Sequence, residues 1–227
     1  MEVLIELRNV GKWYAAGRPV VQQIDLAVYR GQGLAIRGRN GSGKTTLLKL
    51  IAGITRPSAG AVRRAPGLTV GYAPERFPRV RFRAEEYLTH LGRIRRIPKP
   101  ELERRIQELM DLFQMHAAGP ITHFSKGMTQ KVNLMQAVLA RPDVLVLDEP
   151  LSGLDADSQA DFARLLVKFK QEGAAIVMTG HEPGFENAWA DRSMVIEHGR
   201  LKAMPKDTGT SSGEEPSAWI SDQWGVN

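Results

Sequence analysis

Short apolar runs of strand length alternate with stretches of helical periodicity along most of the chain. The strand-like runs cover residues 4–7, 33–36, 144–147, 174–178 and 193–196. The run at 144–147 is apolar at every position, as expected for a central strand that is covered on both faces. This alternation of strands and helices is typical of an α/β domain with a mostly parallel sheet.

A segment with helical character only interrupts this alternation between about residues 84 and 140. Leu102, Ile106 and Leu109 recur at the spacing of one helix face, and Pro98 and Pro100 mark the start of that helix. The sequence after Met204 is polar and lacks apolar periodicity. The predicted layout is a folded domain at 2–204, a helical subdomain at about 76–140 inserted into its α/β core, and a polar tail at 205–227.

The composition limits the compartment and the chemistry. The chain has no cysteine, which excludes disulfides and thiolate metal sites. No apolar run reaches the roughly 20 residues that a membrane-spanning helix needs, and the acidic N-terminus does not resemble a secretory signal. These features fit a cytoplasmic protein, as they fit other compartments. The chain has a net charge of +6. Residues 76–105 alone have the same net charge, because they contain nine arginines and one lysine but only four glutamates.

Residues 38–45 match the pattern G-x-x-x-x-G-K-[ST] between an apolar strand and a helical run. Its glycines let successive backbone N–H groups turn towards one anion, and the following helix N-terminus adds positive potential. Lys44 is predicted to bind the β- and γ-phosphates of ATP, and the Thr45 hydroxyl to bind Mg²⁺. A glycine-rich turn that merely caps a helix is the structural alternative.

A pair of acidic residues follows the apolar strand at 144–147. Ligands of open α/β sheets bind at the carboxyl ends of strands, so Asp148 and Glu149 are expected near the phosphates. Asp148 suits the Mg²⁺ shell, and Glu149 can accept a proton from a water that attacks the γ-phosphate. An acidic surface turn is the alternative interpretation.

Together with residues 124–131, these motifs resemble the nucleotide-binding domains of ABC transporters over roughly residues 2–204. The resemblance implies a P-loop NTPase (RecA-like) core with a β-subdomain at the N-terminus and an inserted α-helical subdomain. It also implies that residues 124–128, here called the signature segment, face the γ-phosphate bound by a second, head-to-tail subunit. The family pattern Leu-Ser-Gly-Gly-Gln is replaced here by Phe-Ser-Lys-Gly-Met.

Further site residues follow from the resemblance alone. Tyr14 is similar to the aromatic residue that stacks on adenine, with Trp13 as its rival, and His181 to the switch histidine at the γ-phosphate. Glu75 stands where the family has a glutamine, and residues 151–155 resemble the D-loop. The predicted catalytic residues are Lys44, Glu75, Glu149 and His181; the magnesium ligands are Thr45, Glu75 and Asp148; the nucleotide-binding residues are Tyr14, Gly38, Asn40, Gly41, Ser42, Gly43, Lys44, Thr45 and Thr46, with Ser125, Gly127 and Asp155 acting on the partner's nucleotide.

The resemblance implies an ATPase subunit that uses ATP and Mg²⁺ and forms a homodimer or heterodimer with a like subunit. Separately encoded transmembrane subunits would hold it on the inner face of the cell membrane, with indirect membrane contact and no nucleic acid. The variant signature and Glu75 resemble the export-type (ABC-2) class, so export is expected. The basic segment 76–105 is predicted to dock on the membrane subunit, its alternative being a solvated surface.

Two other classes remain as alternatives. ABC-type ATPases that act on ribosomes or DNA typically carry two cassettes or a long coiled-coil insertion, and this sequence shows neither. The other class is a P-loop GTPase or nucleotide kinase. The Asn-Lys-x-Asp motif that reads guanine is absent, and such enzymes need no signature like the one at Ser125. Both alternatives are therefore disfavoured.

Overall fold

A six-stranded sheet forms the centre of the molecule in the computed structural model, which describes residues 1–14, 17–180, 187 and 189–204. Its strands lie in the order β5 (Val70–Ala73), β6 (Val144–Asp148), β7 (Ala175–Thr179), β3 (Gly33–Arg37), β8 (Arg192–Glu197) and β9 (Arg200–Ala203). Neighbours from β5 to β8 are parallel, and β9 is antiparallel to β8. The predicted α/β fold with a mostly parallel sheet is confirmed.

The register of this sheet aligns the ends of its central strands. Asp148 of β6 pairs with Thr179 of β7, and Thr179 pairs with Ile36 of β3. All residues of β6 and β7 are buried, which explains the uninterrupted apolar run at 144–147. The loops that leave β3 and β6 therefore start at one level, with β7 between them.

A three-stranded antiparallel sheet forms the predicted N-terminal β-subdomain. Its order is β2 (Val21–Tyr29), β1 (Val3–Lys12) and β4 (Ala59–Arg64). A Cβ atom added to Gly43 would lie 2.8 Å from the carbonyl oxygen of Val20. The start of β2 thus packs directly on the loop between β3 and the helix that follows it.

The helices are α1 (Lys44–Ala52), α2 (Ala84–Ile94), α3 (Lys99–Leu112), α4 (Lys126–Val138) and α5 (Ala156–Gln171), with a short 3-10 helix at Ile121–His123. Pro98 is the N-cap of α3 and Pro100 lies in its first turn, as predicted. Leu102 packs so closely against Gly92 of α2 that a Cβ atom there would lie 2.1 Å from Leu102 Cδ1. The segment predicted to be helical therefore contains α2, α3 and α4.

Two apolar clusters cover opposite faces of the six-stranded sheet. Side chains of β6 alternate between them, since Leu145 and Leu147 belong to the cluster with α2 to α5. Val144 and Val146 belong to the cluster with α1 and the three-stranded sheet. Within the described residues, no helix is long and apolar enough to cross a bilayer.

Candidate nucleotide-binding and hydrolysis site

The loop of residues 38–43, here called the phosphate loop, connects β3 to α1. Gly38, Gly41 and Gly43 have φ angles of 154°, 78° and 108°, a region that favours glycine. A Cβ atom would lie 2.7 Å from the carbonyl oxygen of Ile196 at Gly38, and 2.8 Å from that of Val20 at Gly43. Both backbone conformation and space therefore require glycine at these two ends of the loop.

The N-terminus of α1 lacks the groups that usually satisfy a helix start. Its N-cap residue is Gly43, so no side chain accepts a hydrogen bond from the first N–H groups of the helix, and the first turn of α1 contains no acidic residue. By contrast, Ser125 caps α4 and Asp155 caps α5 through side-chain oxygens. The first N–H groups of α1 and its positive dipole end are therefore suited to an anion such as a phosphate group.

Lys44, the first residue of α1, is buried and points into the phosphate loop. Its Nζ donates a hydrogen bond to the carbonyl oxygen of Gly38 at 2.8 Å and lies 3.4 Å from Glu149 Oε1. The buried ammonium group and the uncapped N–H groups of α1 together attract phosphate oxygens. This arrangement brings two predicted catalytic residues, Lys44 and Glu149, into contact.

Asp148 and Glu149 are both held by Thr179 at the end of β7. The Thr179 hydroxyl donates to Asp148 Oδ1 at 2.8 Å and accepts from the Glu149 backbone N–H at 3.0 Å. Glu149 itself has a φ angle of 48°, which is uncommon for a residue with a side chain. The left-handed turn directs its carboxylate towards Lys44 instead of continuing the strand.

The donor set at this edge fits a magnesium ion. Asp148 is 1% exposed, and its Oδ2 atom has no hydrogen-bond partner among the described residues. Buried carboxylate oxygens need such partners, and a hydrated Mg²⁺ would supply one. Mg²⁺ binds through few protein ligands and keeps several contacts to water and phosphate oxygens. Asp148 and Thr45 would hold the ion, which neutralises phosphate charge when bound.

Glu75 follows β5, and its charge acts on the same tyrosine, Tyr72, as the charge of Asp148. Burial raises the pKa of Tyr72 far above its ordinary value, and the charges of Asp148 and Glu75 raise that pKa further. Both carboxylates are therefore close to the Tyr72 side chain. Glu75 itself is exposed to solvent, so its carboxylate is accessible at the edge of the site.

The two aromatic residues after β1 have different surroundings. Tyr14 is 63% exposed, and Lys12 Nζ lies 5.1 Å above the centre of its ring. Trp13 instead lines an open hollow of about 390 Å³ together with Gly11 and Arg18, on the three-stranded sheet. Both rings are accessible to solvent, since Trp13 is 42% exposed.

The signature segment and the D-loop contact each other within this subunit. Ser125 Oγ accepts from the Met128 N–H at 3.2 Å, and Lys126 Nζ donates to Ser152 Oγ at 2.8 Å. A Cβ atom on Gly127 would lie 2.6 Å from the carbonyl oxygen of Gly153. The two motifs therefore form one unit, and Ser125 and Asp155 are exposed on it.

The remaining predicted residues are distributed as follows. Thr46 is buried in the first turn of α1, while Asn40 and Gly41 are exposed in the phosphate loop. Ser42 Oγ is buried and has no partner within the described residues, which leaves it available to a phosphate oxygen. His181 and the tail at 205–227 lie outside the described residues.

Three polar residues of this region have no role in the sequence-based predictions. Thr179 is fully buried at the end of an apolar strand, which is a recognisable signal at the ligand edge of the sheet. Gln130 and Asn133 are buried on α4 beside the loops that carry Glu75 and Glu149. Nothing in the pattern of α4 distinguishes these two amides from solvent-exposed ones.

Comparison with known proteins identifies relatives of the whole arrangement. The family model described as "ABC transporter" matches residues 21–152. The zinc import ATP-binding protein ZnuC of Halorhodospira halophila is 34% identical over 204 residues, or 87% of this chain and 75% of that protein. The ZnuC protein of Brucella suis biovar 1 is 32% identical over 218 residues, or 94% of this chain and 71% of that protein.

A solved structure of an "ATP binding subunit of ABC transporter" superimposes with a TM-score of 0.82 and 30% identity, covering 90% of each chain. The two sequence relatives are named as import proteins, so the expected resemblance to the export-type (ABC-2) class is not supported.

Proposed function

Because the chain belongs to the ABC transporter family as an ATP-binding subunit with ATPase activity, we propose that it drives transport through separately encoded membrane subunits by ATP-dependent, head-to-tail dimerisation. The observation that carries the proposal is the contact of Lys44 with Glu149 beside the phosphate loop. It combines a phosphate-binding cation and a general base at the uncapped N-terminus of α1. The complex would lie on the inner face of the cell membrane.

The site residues divide the work of hydrolysis. ATP would replace the contact of Lys44 with the Gly38 carbonyl by contacts with phosphate oxygens, while the N–H groups of α1 bind the same phosphates. Glu149 would then accept the proton of the attacking water. His181 and Glu75 are proposed to contact the γ-phosphate and the Mg²⁺ shell.

The exposed positions of Ser125 and Asp155 support the proposal that they act in trans, together with the half-buried Gly127 between them. The Ser125 hydroxyl and the N-terminus of α4 provide hydrogen-bond donors for an anion that a second subunit presents. Asp155 sits on the same unit, since the D-loop packs against Gly127 and Lys126. Two subunits in head-to-tail orientation would complete two such sites.

The direction of transport is proposed from the named relatives. The proteins from Halorhodospira halophila and Brucella suis are named for zinc import, so we propose import, with a divalent metal ion as the first cargo to test. Cargo selectivity itself would belong to the membrane subunits, because the described part of this chain contains no cluster of metal-binding side chains.

A Lys44→Ala replacement in the native organism tests direction and cargo together. Loss of a charge-assisted contact worth about 1.5–3 kcal/mol lowers ATP affinity roughly 10- to 150-fold, which should disable the motor. Zinc import predicts a lower whole-cell zinc content and greater sensitivity to a zinc chelator. A raised zinc content would indicate export, and an unchanged content would exclude zinc as the cargo.

The basic segment offers a docking surface next to Glu75. Arg76, Arg79, Arg81 and Arg83 are exposed and form no ion pair within the described residues. Arg105 is different, since it bonds to Glu101 and to the Leu139 carbonyl oxygen, as a structural residue of α3. Within the predicted docking face at 76–105, we therefore test first the four arginines next to Glu75, at 76–83, here called the docking arginines.

Reversal of Arg79, Arg81 and Arg83 to glutamate tests this surface. Docking predicts nearly parental ATPase activity of the isolated chain but loss of its salt-sensitive association with membranes that carry the cognate subunits. Reversal of Arg56, Arg63 and Arg200 changes the net charge equally at exposed sites elsewhere and serves as the matched control. If both triple variants associate equally with these membranes, the docking arginines are a solvated surface and not a docking site.

A further inference from the structure

Helix α4 carries a row of three amide side chains on one face. Gln130, Asn133 and Gln136 are three residues apart, so they lie above one another along the helix. Asn133 is fully buried and Gln130 is 5% exposed. Polar residues in the middle of a helix usually face solvent, so the burial of Gln130 and Asn133 requires a structural or functional explanation.

The first two amides form a continuous hydrogen-bonded link between two loops. Asn133 Nδ2 donates to the carbonyl oxygen of Pro74 at 2.7 Å and to Gln130 Oε1 at 3.2 Å. Gln130 Nε2 in turn donates to the carbonyl oxygen of Pro150 at 2.7 Å. The link therefore joins the residue before Glu75 to the residue after Glu149.

The third amide ends elsewhere. Gln136 Nε2 donates to the carbonyl oxygen of Tyr72 at 2.6 Å, within strand β5 and not in a loop. Its hydrogen bond is as short as those of the other two amides and lies on the same helix face. Gln136 therefore provides an internal comparison for the role of a single amide contact.

Stability alone does not account for the link. Asn133 Oδ1 is buried without a hydrogen-bond partner among the described residues, which is unfavourable for folding. Asparagine is also a poor helix former compared with leucine or methionine. An apolar side chain at position 133 would avoid both disadvantages but could not donate to the Pro74 carbonyl oxygen or to Gln130 Oε1.

We propose that Asn133 and Gln130 are positioning residues that couple the Glu75 loop to the Glu149 loop. A displacement at Pro74 is transmitted through the two amides to Pro150 and so changes the position of the Glu149 carboxylate. The docking arginines begin directly after Glu75, and α4 itself starts at Ser125. The inference rests on the proposed function, because it connects the docking surface, the general base and the signature segment.

Substitutions to leucine remove each amide while keeping an apolar side chain in its place. Asn133→Leu breaks the Pro74 end of the link, and Gln130→Leu breaks the Pro150 end. Gln136→Leu is the matched control. The link predicts that kcat of the purified chain falls about tenfold in the first two variants, which corresponds to a small misplacement of the base, whereas the Kd for Mg·ATP stays within about twofold of the parental value because no ligand is removed.

Hydrogen exchange provides a readout that a local packing defect would not change. Asn133 does not bond to Pro150, yet the link predicts faster amide exchange at 149–155 in the Asn133→Leu variant as well as at 74–77. The Gln136→Leu variant should show neither change. Faster exchange confined to 74–77, with parental exchange at 149–155, would overturn the proposal.

A double-mutant cycle with Glu75→Gln tests the coupling itself. In the parental background this substitution should shift the half-saturating Mg²⁺ concentration for ATPase activity, and in the Asn133→Leu background, where Pro74 is no longer held beside Glu75, the shift should be smaller. An identical shift in both backgrounds would overturn the proposal. These assays need only ATP hydrolysis by the isolated chain, so a failed zinc or docking experiment would refute the proposed transport function without affecting this result.

Discussion

Thr179 controls the position of both acidic residues through one hydroxyl group. The hydroxyl group donates a hydrogen bond to Asp148 and accepts one from the Glu149 N–H. A single side chain therefore aligns the proposed metal ligand and the proposed base. The phosphate loop, Lys44 and the acidic pair could be located from the sequence because their chemistry depends on adjacent residues. The hydrogen bonds of Thr179, Gln130 and Asn133 could not be predicted, because their partners are 20 to 59 residues away along the chain.

Replacement of Thr179 by valine should therefore impair hydrolysis more than binding. Valine has nearly the same shape but leaves the buried Asp148 Oδ1 atom and the Glu149 N–H without partners, at a cost of about 1–3 kcal/mol in stability. We expect kcat to fall roughly 10- to 100-fold while the Kd for ATP changes little. Thr179→Ser retains the hydroxyl and is the control; an equally inactive serine variant would contradict this role.

At the scale of elements, the continuous apolar runs were predictable, whereas the alternating strand β2 and the exposed strand β4 were not predicted. All five strand-like runs form strands, and α3 begins at its two prolines. Strand β4 is exposed at most of its residues and β5 has only four residues, so neither provides a distinct apolar pattern. The left-handed turn at Glu149, which ends β6, is also invisible to propensity, because the turn is imposed by the contacts of Thr179 and Lys44.

Helix α5 shows how one residue serves an element and a site. Asp155 caps α5 by accepting the Ser158 N–H at 2.8 Å, and this backbone hydrogen bond lowers the pKa of its carboxyl group. A carboxyl group whose pKa is lower in the folded state stabilises the fold above the unfolded pKa of about 3.9 and loses this effect as the pH falls through the folded value. The capping role and the proposed action in trans can be separated by substitution.

Asp155→Ala should lose about 1 kcal/mol at neutral pH, equivalent to a Tm lower by roughly 2–4 °C for a chain of this size. This difference from the parental chain should shrink as the pH falls below about 4, because the carboxyl group then binds a proton more readily in the unfolded chain than in the folded one. Asp155→Asn retains a good cap and should keep the parental Tm at pH 7. If the asparagine variant is as unstable as the alanine variant in thermal unfolding, the capping account is wrong.

At the scale of the whole molecule, the sheet brings the site together and α4 connects it to the surface. β3, β6 and β5 deliver the phosphate loop, the acidic pair and Glu75 to one edge. The two amides of α4 join the last two, and the docking arginines continue from Glu75 to the exterior. The sequence predicted that the phosphate loop and the acidic pair meet at this edge. The expected export class was inferred from the variant signature segment and Glu75, and the named relatives, which are import proteins, do not support it.

Size-exclusion chromatography with light scattering of the Glu149→Gln variant is the most direct test of the central claim that two such chains hydrolyse ATP at shared sites. The amide keeps the shape of the side chain but cannot accept a proton, so turnover should fall by about 100-fold or more. Mg·ATP should therefore hold the variant as a dimer, while the Lys44→Ala, Glu149→Gln double variant should stay monomeric. A single variant that stays monomeric in Mg·ATP, or that hydrolyses ATP at the parental rate, would contradict the account.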